Sequence, residues 1–206
     1  DADDLCSPHR IEKQVAFMES HPDVDAVGTG VCFLSRTDDP LGEWRPPVSH
    51  TEITANAARL LHILHGTILA KKRWFETHLY NEQLPISVDF HLLFHAAKDS
   101  IFANVPEPLY YYRLDQSFNL RKQFVARLTN ARFLFEAFWN EGRRMEALRQ
   151  ASVQLAKYVA TVLMFLTGLR RLLMDRRFAP LSPERTDHYQ DELAMIKQVP
   201  RPPQGI

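Results

Sequence analysis

The chain has 206 residues, 45% of them hydrophobic and 24% charged, with 25 basic side chains balanced by 25 acidic ones. That composition excludes bulk disorder, a collagen-like repeat and a coiled-coil rod, and the length suits one domain, or one domain with an appendage. A net charge of zero removes any global attraction to nucleic acid, so no nucleic-acid partner is expected.

Two cysteines, Cys6 and Cys32, make no disulfide framework and suit a reducing compartment. The chain opens at Asp1 with neither an initiator Met nor a signal-like apolar stretch. The expectation is therefore the later part of a longer, cytoplasmic protein. Charge is unevenly spread. Residues 1–120 hold 10 basic and 17 acidic side chains, residues 121–177 hold 12 and 4, and the remainder hold 3 and 4. The sign changes near Asn119–Arg121, which sets the expected boundary between units at 1–118 and 119–206.

Ser7-Pro8 opens a helix in which Ile11, Val15 and Met18 recur at helical spacing, and His21-Pro22-Asp23 closes it. Val24 to Leu34 reads as a strand loosened by Gly28 and Gly30, and Asp38 to Pro47 as a loop. Thr54 to Leu64 is a predicted helix, Thr67 to Ala70 a short buried strand, and Lys72 to Thr77 a short helix carrying Trp74 and Phe75. A loop over Asn81–Ile86 leads to Ser87, a plausible cap for a helix through Lys98. Ile101–Val105 and Leu109–Leu114 read as two strands separated by Pro106-Glu107-Pro108. Helices are predicted over 121–140, 144–176 and 183–197. The class is α/β, followed by a mostly helical C-terminal region.

Three features carry possible chemistry. Asp1-Ala2-Asp3-Asp4 gathers carboxylates that repel one another unless a cation or hydrogen-bond donors neutralise them, and oxygen-only ligands suit Mg²⁺ or Mn²⁺. The plainer reading is an acidic turn before a helix N-terminus. Asp89 sits in the first turn of a predicted helix, where a carboxylate serves as a general base if it faces a cleft, or simply complements the helix dipole. Pro106-Glu107-Pro108-Leu109-Tyr110-Tyr111-Tyr112-Arg113 reads as strand.

The order of these pieces resembles the second half of a family 2 glycosyltransferase of the GT-A fold. Asp-Ala-Asp-Asp leads into Pro8-His9-Arg10-Ile11-Glu12-Lys13-Gln14-Val15-Ala16-Phe17 and a strand holding Val24 and Val27-Gly28. Then come His65-Gly66-Thr67-Ile68-Leu69, Trp74-Phe75, Tyr80-Asn81-Glu82, a helix opened by Asp89, and Pro106-Glu107-Pro108-Leu109-Tyr110-Tyr111-Tyr112-Arg113. The resemblance spans about residues 1–115 and implies a partial GT-A sheet with flanking helices, whose nucleotide-holding half precedes Asp1. It implies that Asp1 and Asp3 hold a divalent metal and the donor diphosphate, that His65 and Thr67 line the site, and that Asp89 is the catalytic base. Trp74 and Phe75 then fall beside the acceptor region, and Arg113 contributes to binding. Val88 stands where the family usually has Glu, Phe90-His91 replaces Tyr-Asp, and Asp115 replaces a His that assists metal or phosphate binding. The implied partners are a nucleotide-sugar donor and a glycan or lipid-linked acceptor.

Competing chemistries are weaker. His91 and His95, like His62 and His65, have spacings that bind zinc if a third ligand converges, but no Glu lies between His91 and His95. Asp1-Ala2-Asp3 also fits the start of a haloacid-dehalogenase phosphatase, whose later Lys and acidic motifs do not follow in order. A non-catalytic binding or scaffold fragment is the alternative of a different class. Lys157 and Arg170 bracket an uncharged stretch too short to span a bilayer. With Arg170-Arg171 and Arg176-Arg177 around Leu172-Leu173-Met174, the segment 155–177 reads either as peripheral contact with the inner membrane face or as a solvated basic face.

Overall fold

The computed structural model describes residues 4–114, 120–167 and 181–198. In chain order the elements are β1 (Leu5–Cys6), α1 (Arg10–Ser20), β2 (Ala26–Leu34), β3 (Pro40–Trp44) and α2 (His50–Thr54). A 3₁₀ turn (His65–Thr67), β4 (Leu69–Ala70), α3 (Lys72–Thr77), α4 (Val88–Ala96) and β5 (Phe102–Arg113) follow. The remaining helices are α5 (Leu120–Asn140), α6 (Arg144–Leu166) and α7 (Pro183–Gln198). The result is an α/β fold with one mixed sheet and flanking helices.

The sheet runs β1-β5-β2-β3, with β4 paired to the first part of β2. β2 lies parallel to β5 and antiparallel to β3 and β4. Flanked on both edges, β2 is buried along almost its whole length, which is why it reads as a continuous apolar run rather than an alternating one.

The expectation of two strands around Pro106 and Pro108 is corrected: β5 is a single strand from Phe102 to Arg113. The pairing passes from Thr29↔Val105 to Gly30↔Pro108 and then Val31↔Tyr110, so the prolines sit in an irregularity instead of ending the strand. Gly30 makes this possible. A Cβ there would come within 2.6 Å of the Pro106 carbonyl oxygen and 2.8 Å of the Glu107 backbone.

Other expectations also shift. The predicted loop 38–47 contains β3, whose Gly42 and Pro40 hide a strand that exists because β2 offers it an edge. The helix read over 54–64 shrinks to α2, capped by Ser49, whose side-chain oxygen accepts the Glu52 amide; residues after it form turns. On α1 the fully buried residue is Gln14, while Ile11 and Val15 are exposed. The Gln14 amide Nε2 donates at 2.8 Å to the carbonyls of both Val27 and Thr67. A buried polar group with two partners replaces the apolar contact that periodicity suggested. Ser87 precedes α4 but does not cap it through its side chain; it holds a left-handed conformation, φ 62°.

Described residues beyond 120 contribute to the core of the first part. Phe133, Leu134 and Phe138 of α5 and Ala147 of α6 share one apolar cluster with Ile53, Trp74, Leu92 and Phe102. The rings of Phe90, His91, Phe94 and His95 on α4 all meet Phe133. That explains the His91/His95 spacing as packing: burial, then a neighbouring charge (His95 on one, Lys98 on the other), pushes both imidazoles below their ordinary value. α7 lies on the sheet, with Tyr189 and Leu193 against Cys32, Leu34 and Tyr111. Glu43 of β3 is buried beneath it, accepting bonds from Tyr189 Oη at 2.6 Å, Arg45 Nε at 3.0 Å, and Arg185.

Candidate active site

The described chain enters at Asp4, and both of its carboxylate oxygens are engaged by β5. Tyr110 Oη donates to Oδ2 and the Arg113 amide to Oδ1, each at 2.8 Å. Burial, and after it the bond to Asp4, push the Tyr110 phenol well above its ordinary pKa, so it remains a donor. β1 then continues antiparallel to β5, Leu5 opposite Tyr111. Asp4 thus fastens the start of the described chain to the strand that ends in Arg113.

Tyr110 also receives the 3₁₀ turn. A Cβ on Gly66 would come within 2.8 Å of Tyr110 Oη, so only glycine lets the turn sit this close. Arg10 of α1 reaches the same place: its Nη1 donates to the Gly66 carbonyl at 3.1 Å and its guanidinium lies 5.4 Å from the Tyr110 ring centre. Asp4, Arg10, Gly66 and Tyr110, far apart in sequence, form one contact group.

His65 stands beside this group and looks the other way. Its Nε2 meets Tyr80 Oη at 2.6 Å. Burial raises the Tyr80 phenol, and the nearby Asp89 charge raises it further. Asp89 itself occupies the first turn of α4, half-buried, with no hydrogen bond or ion pair among the described residues. His65, Tyr80, Trp74, Phe75, Ile68 and Leu92 line a small cavity of about 150 Å³. A half-buried carboxylate with no donor of its own, whose charge acts on the Tyr80 phenol, is able to accept a proton from a hydroxyl that reaches it.

The site residues expected from sequence separate into four sets. His65 is bonded to Tyr80, whose phenol feels the charge of Asp89. Thr67 and Trp74 are packed into the fold, although Trp74 also borders that cavity. Thr67 is fully buried, its hydroxyl accepting the Thr29 amide at 3.1 Å and donating to the Leu64 carbonyl at 2.7 Å. Trp74 is 3% exposed, its indole donating to Ser100 Oγ, so Phe75, 39% exposed, offers the aromatic face of α3. Arg113 donates through Nε and Nη2 to Asp38, a carboxylate that also meets Lys197 at 2.9 Å. Asp1, Asp3 and Asp115 lie outside the described residues.

Among the described residues no three His, Cys, Asp or Glu side chains gather in a way that would hold a metal. The described part of the site is therefore not a metal centre by itself. Sequence reasoning did not single out Arg10, Tyr80 or Tyr110, although all three stand within the motifs quoted above. Their partners are separated by 56, 15 and 106 positions respectively, and only the folded chain joins them.

No protein-family model matches the chain. It is similar to several curated proteins named as glycosyltransferases. An uncharacterised glycosyltransferase of Methanocaldococcus jannaschii is 26% identical over 68% of this chain and 49% of its own length. The Bacillus subtilis protein EpsE, named as a glycosyltransferase, is 29% identical over 66% and 50%. The amylovoran biosynthesis glycosyltransferase AmsE of Erwinia amylovora is 31% identical over 53% and 41%. The chain spans about half the length, or less, of these relatives.

Proposed function

We propose that the protein transfers a sugar from a nucleotide-sugar donor to a hydroxyl of a glycan or lipid-linked acceptor, with inversion at the anomeric carbon. The observation that carries this reading is Asp89, an unpaired carboxylate in the first turn of α4 whose charge acts on Tyr80, the partner of His65. In the reaction Asp89 takes the proton from the acceptor hydroxyl as its oxygen attacks the anomeric carbon from the face opposite the leaving group. Tyr80, held by His65, orients the acceptor or the carboxylate, and Phe75 presents an aromatic ring to a sugar face. The similarity to proteins named as glycosyltransferases supports the class, and the name of the Erwinia relative supports a setting in surface-polysaccharide synthesis.

The reading includes Mg²⁺ or Mn²⁺ on Asp1 and Asp3, with Asp115 as a further ligand. When bound, such an ion offsets charge on the departing nucleoside diphosphate. Asp4, tied to Tyr110 and Arg113, anchors the backbone next to Asp3. No helix among the described residues is long and apolar enough to cross a membrane. Peripheral contact through 155–177, at the cytoplasmic face, belongs to the same reading. It is supported by the exposed Leu155, Val159, Leu163, Phe165 and Leu166 of α6.

The test is Mn²⁺-dependent binding of a panel of nucleotide sugars by calorimetry, in this chain and in any longer form its gene encodes. Binding that is lost in Asp3→Ala is the expected result and identifies the donor. A folded protein that binds no nucleotide sugar in either form would replace this reading with a scaffolding role.

A further inference from the structure

A groove of about 820 Å³ runs between helix α6 and the turns after α2, well populated by charged side chains. Most of those charges are paired. Glu141 meets Lys98 and Arg143. Glu146 receives Arg149 Nη2 at 2.6 Å and Gln150 Nε2 at 2.7 Å. Lys157 lies eleven positions after Glu146 on the same helix, about 16 Å along its axis, so these carboxylates serve the other end.

Around Lys157 the situation is reversed. Arg59, on the turn after α2, and Lys157 both line the groove, and neither side chain has a hydrogen bond or ion pair among the described residues. Arg127, on α5, is outside the groove's lining but reaches Gln154, one turn before Lys157 on α6. Its only described bond is a long one, 3.5 Å, from Nη1 to Gln154 Oε1, and its Nε is buried without a partner. We propose that Arg59 and Lys157, with Arg127 behind them on α5, form a binding site for a phosphate or diphosphate group, apart from the cavity at His65 and Tyr80.

Three observations support this. Burial lowers the Lys157 pKa, and the charges of Arg127 and Arg59 lower it further, so the fold holds like charges together without a compensating carboxylate. Burial alone lowers that of Arg127. A ligand with at least two negative charges removes this repulsion, and guanidinium forks match the oxygens of a phosphate. Beside the cations, Ala57, Ala58, Val153, Ala156 and Ala160 give the groove small apolar walls, leaving room for whatever the phosphate is attached to.

The chemistry is shared by free phosphorylated compounds and by lipid headgroups, so two probes are needed. Calorimetry with inorganic pyrophosphate and with dihexanoyl phosphatidic acid below its micelle concentration would be run on the unaltered chain, Arg127→Met, Lys157→Met and Lys157→Arg. The expected result is binding by the unaltered chain and by Lys157→Arg, weakened at least tenfold in the two Met variants. Melting temperatures without ligand should be equal or higher in the Met variants, because one of three repelling charges is gone. Tighter binding of pyrophosphate assigns the site to free phosphorylated compounds, and tighter binding of the phosphatidic acid to a lipid headgroup. No binding of either probe, or binding unchanged in the Met variants, would overturn the proposal. It does not rest on glycosyl transfer: Asp89→Asn leaves this binding intact whatever it does to the reaction.

Discussion

Ser87 takes a left-handed conformation, φ 62°, two residues before Asp89. For a residue with a Cβ that conformation costs on the order of 1 kcal/mol, and here it turns the chain abruptly into α4 so that Asp89 falls in the first turn. Ser87→Gly should therefore raise the melting temperature by roughly 2–4 °C, the shift about 1 kcal/mol produces in a chain of this size. An unchanged or lower value would mean that the serine side chain supplies more than the strain removes. At Asp89 the expectation concerns rate. A positioned base is worth about 10²–10⁴-fold, so Asp89→Asn should lower kcat by that factor while donor affinity stays within about twofold. Undiminished turnover in the variant would take Asp89 out of the role. Tyr80→Phe, which removes the hydroxyl that meets His65, should lower kcat less, with the loss read in a full kinetic profile.

Among the elements, β5 is the one on which the site depends. It pairs with β1 on one side and β2 on the other, and its Tyr110 and Arg113 hold Asp4. Its double proline survives mid-strand because Gly30 opposite has no Cβ to strike the backbone of Pro106 and Glu107. Gly30→Ala forces one strand to move, and overpacking of this kind costs about 1–3 kcal/mol. A urea midpoint close to that of the unaltered protein would show that the irregularity absorbs a methyl group without strain. Gln14 plays a similar part from α1, bridging β2 and the 3₁₀ turn. The helix docks by satisfying two carbonyls as well as by covering apolar surface.

Over the whole molecule, the C-terminal helix is tied back to the sheet by polar contacts as much as by its apolar face. Tyr111 donates to Glu192 at 2.5 Å, Tyr189 to Glu43 at 2.6 Å, and Lys197 meets Asp38, which also receives Arg113. Burial alone would raise the Asp38 carboxyl, but hydrogen bonds from Lys197 and Arg113, with their charges, bring it below its ordinary value of 3.8. A depressed carboxylate pKa contributes stability above the unfolded value and loses it as pH falls through the folded one. Asp38→Asn keeps a residue tolerant of the left-handed backbone, φ 67°, and removes only the charge. The variant should therefore be less stable than the unaltered protein at neutral pH, the difference shrinking below about pH 4. Urea unfolding at both pH values measures this, and an equal loss at both would assign the effect to something other than ionisation.

What the sequence alone determined was local. The 3.6-residue periodicity of 121–140 and 183–197 and the compact Lys72–Thr77 helix emerged close to their observed bounds, because each rests on contacts a few positions apart. Where neighbours in space set the outcome, the sequence misled. Strand β3 exists only because β2 has an open edge, β5 is continuous only because Gly30 faces its prolines, and α1 buries Gln14 because two distant carbonyls lie beneath it. At Thr67 and Trp74 the sequence did not say how deeply the side chain sits, because packing decides that: Thr67 is fully buried and Trp74 nearly so. The contact group of Asp4, Arg10, Gly66 and Tyr110, and the three cations at Lys157, join residues from separate elements. No periodicity records such pairings, since hydrogen bonds and charge repulsion act through distance in space and not along the chain.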